Sequence, residues 1–372
     1  MFDVKYCQNL REAVNRTNIF YKDKIQSQKF DFICAFMDRF DFAVNYLNQH
    51  NEKPKTEIEF MTYLTQASIV RDGINLCYDL LELEKDETNI FFKEYCLRDL
   101  GCEPESDDKY YEYLRSLAFA HPLNTNRSIP NKLKDEKQFS PFCMLNVHSF
   151  NFDKNAVGVM VYSNKRKSFS ITVPFQVLVE YLKYKYELLE NIINKFNLII
   201  KEMEDNWKKR KIDRTKSDLD ILKEVSKILD ERYLEHYDID ELIEYLELDL
   251  SEERNIINVE IYRDKIRKLI PSICDAVDEY RTDDLYKICD SILNLRPKAH
   301  PMMHYQLEKI FCYLNDDGYG DVEWGLIQAD AFSKEFAKKW VIIKPYDMSF
   351  KEIKLLVNVA CYLEYQEQNK GE

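Results

Sequence analysis

An arginine and a histidine at the end of one predicted helix are of residue types that suit phosphate chemistry. Arg115 and His121 have five residues between them, and Pro122 follows the histidine directly. Six helical steps of about 100° bring two side chains to within about 120° of each other, at a rise of roughly 9 Å. A guanidinium stabilises negative charge that develops on a phosphate, and an imidazole transfers protons. The spacing therefore predicts that both side chains reach towards one pocket.

Local signals predict the helix, within residues 107–127, that would position this pair. Ser106 is a suitable N-cap, and Asp107 and Asp108 follow it at the positive end of the helix dipole. Pro122 disfavours the helical conformation at the residue before it and so ends the helix. The same pattern has a purely structural interpretation. In that interpretation Arg115 is a surface cation, and His121 stabilises the negative C-terminal end of the helix.

Arg115, the polar Ser116, a short apolar run and a terminal His121 resemble the signature of the HEPN superfamily. These are helical-bundle proteins, many of them metal-independent endoribonucleases of toxin–antitoxin, abortive-infection and CRISPR systems. The resemblance implies that an RNA 2′-hydroxyl attacks the adjacent phosphate. His121 would then handle a proton or contact the phosphate, Arg115 would stabilise the charge, and Ser116 and Asn124 would orient the site. It also implies a two-fold dimer in which two such helices face each other, which doubles a sparse catalytic set.

Two further stretches are candidates for RNA contact. One is the polar run after Pro122, which contains Asn124 and Arg127. The other is the densest basic cluster of the chain, in which an aromatic side chain could stack on bases: Trp207, Lys208, Lys209, Arg210 and Lys211. The alternative for this cluster is a solvated helix end, with cations near the negative end of the dipole.

Composition limits the classes of function. The net charge of −13 over 372 residues counts against a general nucleic-acid binder, although a local basic patch can still serve a nuclease. Ten scattered cysteines without a C-x-x-C pattern predict free, buried thiols in a reducing cytosol. No apolar run is long enough for a membrane span, and the first residues lack a signal-peptide pattern. We therefore expect a cytoplasmic protein without membrane contact.

No cofactor or metal is predicted. Seven glycines and the absence of a phosphate-loop motif argue against a nucleotide held by a glycine-rich loop. His300 and His304 are spaced so that they could share a zinc ion, but the sequence offers no third ligand.

Periodicity predicts a mostly α fold, with a helical bundle, a small antiparallel β insertion and a further C-terminal helical region. Thr56 with Glu59, and Ser349 with Glu352, are capping boxes, whereas Ser217 and Ser251 are simpler N-caps. Pro271 is expected to kink or break its helix. The predicted domains are a HEPN-like bundle at 1–125, a loop and sheet at 126–175, and a long helix with a C-terminal helical region at 176–372. The long helix itself is predicted over 175–211.

Two hypotheses for function remain. The first is a metal-independent endoribonuclease of a bacterial or phage-related defence or toxin system, which acts at a composite dimer site. The second is a non-catalytic, HEPN-like interaction protein, either antitoxin-like or a defence scaffold, whose acidic charge suits a basic protein partner.

Overall fold

The structure, a computed structural model of the chain, describes residues 2–85, 88–123, 125, 130, 133–145, 153–299, 301–315 and 320–369. Over these residues the chain is mostly helical, with one small antiparallel sheet between two helical regions, which confirms the predicted class. The chain forms two compact units, Met1–Lys201 and Glu202–Glu372, called here the first unit and the second unit.

Along the chain, the first unit has helices before the sheet and helices after it. Its helices before the sheet are α1 (Lys5–Asn15), α2 (Ile19–Lys22), α3 (Phe30–Gln49), α4 (Glu57–Leu80), α5 (Lys93–Leu100) and α6 (Asp107–Arg115). The strands are β1 (Gln138–Phe139), β2 (Cys143–Met144), β3 (Ala156–Ser163) and β4 (Phe169–Pro174). The helices α7 (Phe175–Glu187) and α8 (Leu189–Trp207) follow, and α8 continues into the second unit.

The strand β3 is the centre of the sheet, and it forms a hairpin with β4. The two strands pair from Ala156 opposite Pro174 to Val161 opposite Phe169, and residues 164–168 connect them. The shorter strands β1 and β2 also pair antiparallel with β3. Alternate β-branched residues of the hairpin, among them Val157, Val159 and Ile171, are fully buried, because side chains on one face of a strand recur every second residue.

A buried carboxylate ties α6 to the segment before α5. Asp107 is fully buried, and its carboxylate accepts hydrogen bonds from the backbone N–H groups of Ile90, Phe91 and Phe92, at 2.8, 3.1 and 2.9 Å. The sequence indicated only a favourable charge at the start of a helix. The fold uses the side chain to satisfy the N–H groups of a neighbouring segment, which would otherwise be buried without partners.

The predicted continuous helix over 175–211 is wrong, because α7 ends before Leu188 and α8 begins after it. No proline or glycine causes this break. The Tyr78 hydroxyl, from α4, donates to the Leu188 carbonyl at 3.4 Å and accepts from the Asn191 side-chain amide at 2.8 Å. A side chain that bonds to the main chain in this way interrupts a helix that the local sequence favours.

In the second unit, every regular element among the described residues is helical. Its helices are α9 (Asp218–Glu231), α10 (Tyr237–Glu247), α11 (Ile256–Asp278), α12 (Thr282–Leu293), α13 (Met303–Tyr313), α14 (Val322–Glu335) and α15 (Phe350–Gln368). They enclose one apolar core, in which the middle of α15 is almost wholly buried.

Two predictions concern α11, and the first of them is wrong. Ser251 is not its N-cap, because a short 3-10 turn precedes the helix, and both the N–H and the hydroxyl of Ser251 bond to the buried Glu352 carboxylate at 2.9 Å. Pro271 does not break the helix. It lies on the exposed face, where water can satisfy the carbonyl that loses its usual N–H partner.

The ten cysteines are unpaired, and seven of them are buried. Cys34 and Cys102 are partly exposed and Cys312 is exposed, so the predicted burial does not hold for these three. No helix within the described ranges is long and apolar enough to cross a membrane.

Candidate functional site

The helix that carries the Arg–His pair begins as predicted. The Ser106 hydroxyl accepts a hydrogen bond from the Lys109 N–H at 3.3 Å, and α6 runs from there to Arg115. Beyond Arg115 the chain widens into a π-helical turn, Ser116–Ala120. The predicted single α-helix is therefore wrong in its last turn, and the angular offset expected for two side chains on a continuous α-helix does not apply. Single π turns are frequent at functional sites.

Arg115 is partly exposed and is held by an acid from another helix. Its side chain is 22 % exposed, and Nη1 donates to Oδ2 of Asp72, on α4, at 3.3 Å. Among the residues that the structure describes, this is the one hydrogen bond of the Arg115 guanidinium, and its buried Nε–H has no acceptor. The guanidinium is thus anchored at one edge and keeps donors for a further acceptor.

His121 is fixed through its backbone and exposed through its side chain. Its N–H donates to the Ser116 carbonyl at 2.8 Å, which closes the π turn. Its carbonyl accepts the Thr125 hydroxyl at 2.7 Å. Within the described part of the chain nothing hydrogen-bonds the imidazole, and the residue is exposed to solvent. The main chain is therefore positioned while the ring is accessible from solvent.

The other predicted residues beside this pair have different environments. Ser116 is only 1 % exposed, so it orients His121 through its carbonyl rather than contacting solvent through its hydroxyl. The predicted RNA contacts Asn124 and Arg127 lie outside the described residues.

The basic cluster of residues 207–211 is built into the second unit. The Trp207 ring packs against Tyr233 and Tyr280, with ring centroids 6.1 and 5.4 Å apart. Arg210 pairs with Glu231, and Lys211 pairs with Glu279 at 2.7 Å. Lys209 bonds to Asn206 at 2.6 Å, and Lys208 is half-buried. The two acids offset part of the cluster's positive charge, and two tyrosines pack against the indole.

The acidic charge of the chain belongs almost entirely to the second unit. Residues 1–201 contain 27 Lys and Arg against 28 Asp and Glu, and residues 202–372 contain 26 against 38. The formal charges are therefore −1 and −12, out of −13 for the whole chain. The unit that carries Arg115 and His121 is nearly neutral, so the overall acidity is a weaker argument against RNA binding there than the sequence implied.

Behind Arg115 lies a polar network that the sequence analysis missed. Asp72 also binds Arg71, the preceding residue on α4, and the Arg71 guanidinium covers the Tyr111 ring at 5.0 Å. A signal for it was present, since the adjacent charges of Arg71 and Asp72 interrupt the apolar residues in the middle of this helix, between Val70 and Ile74. Charges within such a stretch are rarely buried unless they are paired.

A second carboxylate of this network joins α6 to α7. Asp108 accepts hydrogen bonds from Lys185 at 2.8 Å, Tyr181 at 2.6 Å and Asn75 at 2.6 Å. Burial by itself would raise the pKa of Asp108, but the Lys185 charge and these hydrogen bonds outweigh burial and hold the pKa below its ordinary value. Asp108 is therefore ionised at neutral pH and links three helices.

The structure assigns no metal centre within its described residues, where no group of three or more His, Cys, Asp or Glu side chains is arranged to hold an ion. His304 is exposed at the start of α13, and its potential partner His300 lies outside the described residues.

Comparison of the chain with protein-family models, with curated proteins and with solved structures finds no match in any of the three.

Proposed function

We propose that this protein is a metal-independent endoribonuclease of the HEPN type, from a bacterial or phage-related defence or toxin system. The observation that carries the proposal is the state of Arg115. Its guanidinium is anchored at one edge by Asp72, keeps unused donors among the described residues, and lies one π turn before the exposed His121. Charge stabilisation and proton transfer are the two tasks that RNA cleavage without a metal requires of side chains.

The proposed reaction is an internal transfer of the phosphoryl group. The RNA 2′-oxygen forms a bond to the adjacent phosphorus as its proton leaves, and the bond from phosphorus to the 5′-oxygen breaks. The leaving oxygen takes up a proton, so the products carry a 2′,3′-cyclic phosphate and a 5′-hydroxyl. His121 transfers one of these protons or contacts the phosphate, and Arg115 binds the non-bridging oxygens as their negative charge grows.

The proposed active unit is a two-fold dimer. One histidine cannot be general acid and general base at the same instant, whereas two facing copies of the helix supply two histidines and two arginines. Two-fold pairing is the commonest symmetry of soluble oligomers.

RNA contact by Asn124 and Arg127 is part of the same proposal, because they lie only three and six positions after His121 in the chain. Residues 207–211 are expected to contribute little. The Trp207 ring packs against tyrosines, and the ion pairs of Arg210 and Lys211 must be broken before these two cations can bind phosphates.

The test is cleavage of total RNA by the wild-type chain and by Arg115→Ala and His121→Ala. We expect both variants to be inactive while their helical circular dichroism and melting match the wild type. Arg39→Ala and His50→Ala are matched controls, since they remove exposed residues of the same two types from the same unit. If Arg115→Ala and His121→Ala both fold and cut RNA as the wild type does, the site lies elsewhere.

The second candidate function is a non-catalytic interaction protein. The charge of −12 on the second unit favours it, because such a surface attracts a basic protein partner. A wild-type chain that leaves RNA intact under all conditions but binds a basic antitoxin-like or defence protein would support this candidate over the nuclease.

A further inference from the structure

A polar pocket in the first unit lies between the ends of α4, α6 and α7. Its volume is about 250 Å³. Four cationic side chains line it, Arg71, Lys85, Lys109 and Lys185, together with the hydroxyl-bearing Ser106 and Thr88. Neither catalysis by Arg115 and His121 nor the helix packing requires an open space at this position.

Two of these cations are almost completely buried. The side chain of Lys185 is 5 % exposed and that of Arg71 is 8 % exposed. The Lys185 ammonium bonds to the Asp108 carboxylate at 2.8 Å and donates to the side-chain amide oxygen of Asn75 at 3.2 Å. Arg71 bonds to Asp72 and, through Nη1, to the backbone carbonyl of Asp108 at 3.2 Å. Both cations are therefore held in place at the wall of the pocket.

The cations that line the pocket outnumber the carboxylates that line it. Among the described residues, the four cations face two lining carboxylates, Asp108 and Glu112. Arg71 and Lys85 are paired with Asp72 and Asp79, which are not part of the lining. The lining itself therefore has a positive formal charge, which favours the entry of an anion.

The two lysines nearer the solvent add to this positive potential. Lys109 is 54 % exposed, and its ion pair with Glu112 is loose at 4.0 Å. Lys85 pairs with Asp79 at 2.6 Å. The Ser106 oxygen accepts the Lys109 N–H, so its own hydroxyl proton can be donated to a ligand. Ser106 also marks the N-terminus of α6, where the helix dipole favours an anion.

We propose that this pocket binds the phosphate group of a small ligand. A phosphate accepts hydrogen bonds from an Arg fork, from ammonium groups and from hydroxyls at once, which is the set of donors at this wall. The volume is below the usual range of about 300–1,000 Å³ for drug-sized ligands, so the pocket suits a phosphate with a small body attached. The phosphate comes from a free metabolite of this kind or from the 5′ end of a nucleic acid. The inference does not depend on RNA cleavage by Arg115 and His121.

Calorimetric titration of the full chain at constant ionic strength tests the proposal. The probes are inorganic phosphate, pyrophosphate and adenosine 5′-monophosphate, with adenosine as the probe that lacks phosphate. We expect the phosphorylated probes to bind and adenosine not to bind. Lys185→Met should weaken binding at least about tenfold, because a charge-assisted contact is lost at the wall. Lys109→Ala should weaken it severalfold, and Lys93→Ala, which removes an ion-paired lysine outside the pocket, should have no effect.

The exposed position of Lys109 keeps the test decisive even if Lys185→Met fails to fold. A dinucleotide with a 5′-phosphate, compared with its 5′-hydroxyl form, separates the two sources of the phosphate. Preference for the phosphorylated dinucleotide over adenosine 5′-monophosphate identifies a nucleic-acid end, and the reverse identifies a free metabolite. The proposal is overturned if no phosphorylated probe binds, or if Lys109→Ala binds every probe as tightly as the wild type.

Discussion

One carboxylate, that of Asp72, holds Arg115 from a neighbouring helix at 3.3 Å while its other oxygen binds Arg71 of its own helix. Under the proposed mechanism this contact makes Asp72 a positioning residue, since it orients the guanidinium without contacting the reacting atoms. The carboxylate also offsets part of the positive charge of Arg115. The two effects are separable by substitution.

Asp72→Asn should lower RNA cleavage by about tenfold, equivalent to about 1.4 kcal/mol on the barrier, because the guanidinium loses its charged anchor. Asp72→Glu should recover part of the loss. Asp72→Asn also leaves the nearly buried Arg71 without its charged partner, so melting curves are needed to separate a loss of stability from a loss of rate. Single-turnover and steady-state rates show whether kcat rather than KM falls. Full activity of Asp72→Asn would show that Arg115 needs no anchor.

Cleavage should persist in excess EDTA. Arg115 and His121 supply charge stabilisation and proton transfer without an ion. The assay compares cleavage of one RNA with chelator, without chelator, and with each divalent ion added back. Loss of cleavage in EDTA that a single divalent ion restores would contradict the mechanism.

An inactive Arg115→Ala chain mixed with an inactive His121→Ala chain should regain part of the wild-type cleavage. A mixed two-fold dimer keeps one arginine and one histidine at the shared site, which neither parent dimer does, but it lacks the second histidine of the wild type. Light scattering of the wild type gives the oligomeric state in the same buffer. A strictly monomeric chain that cuts RNA would exclude the dimer model.

Gly73→Ala should destabilise the first unit by about 1–3 kcal/mol, the usual cost of overpacking a core. Propensity alone predicts the opposite, a gain of about 1 kcal/mol for Ala over Gly within a helix. In the fold, a Cβ at Gly73 would overlap the Phe36 ring. Chemical denaturation measures the effect, and Phe36→Leu is the matched background because it clears that space. If Gly73→Ala costs as much in Phe36→Leu as in the wild type, the overlap is not the cause.

Asp108 should make stability depend on pH on the acid side. Its folded pKa lies below the ordinary value of 3.8, so its stabilisation is fully present above about pH 4 and is lost as pH falls through the folded pKa. Asp108→Asn should therefore cost about 3–5 kcal/mol at pH 7, because Lys185 stays buried without its partner. The difference from the wild type should shrink on acidification. Asp38→Asn, at a carboxylate that is 77 % exposed, is the control, and an unchanged difference at low pH would contradict this role.

Local signals in the sequence determined much of the secondary structure. Thr56, Ser106, Ser217 and Ser349 each accept a hydrogen bond at the start of the predicted helix, because capping needs only a side-chain oxygen next to the first free N–H groups. Gly101 ends α5 in the left-handed conformation expected for a C-terminal glycine. Alternation of β-branched residues around a short turn specified the central hairpin.

Features that depend on residues far apart in the chain could not be predicted locally. Tyr78 breaks the helix at Leu188 from more than a hundred positions away. Glu352, predicted in a local capping box, turns its carboxylate to Ser251 instead. The break at Leu188 and the bond from Ser251 to Glu352 both depend on which buried polar groups the fold brings together. The hydrophobic periodicity of a sequence carries no information about such long-range pairs.

The candidate site likewise has some features that the sequence predicts and others that only the packing of the helices decides. The sequence by itself determined that an arginine lies six positions before a histidine and that a proline follows the histidine, because residue type and spacing are read directly from it. Only the tertiary structure decided that Ser116 is buried, that Asp72 anchors Arg115, and that the acidic charge lies in the other unit. A side chain's exposure and its ionic partners depend on how the helices pack together. The same residues on another helix face would have a different exposure and different ionic partners.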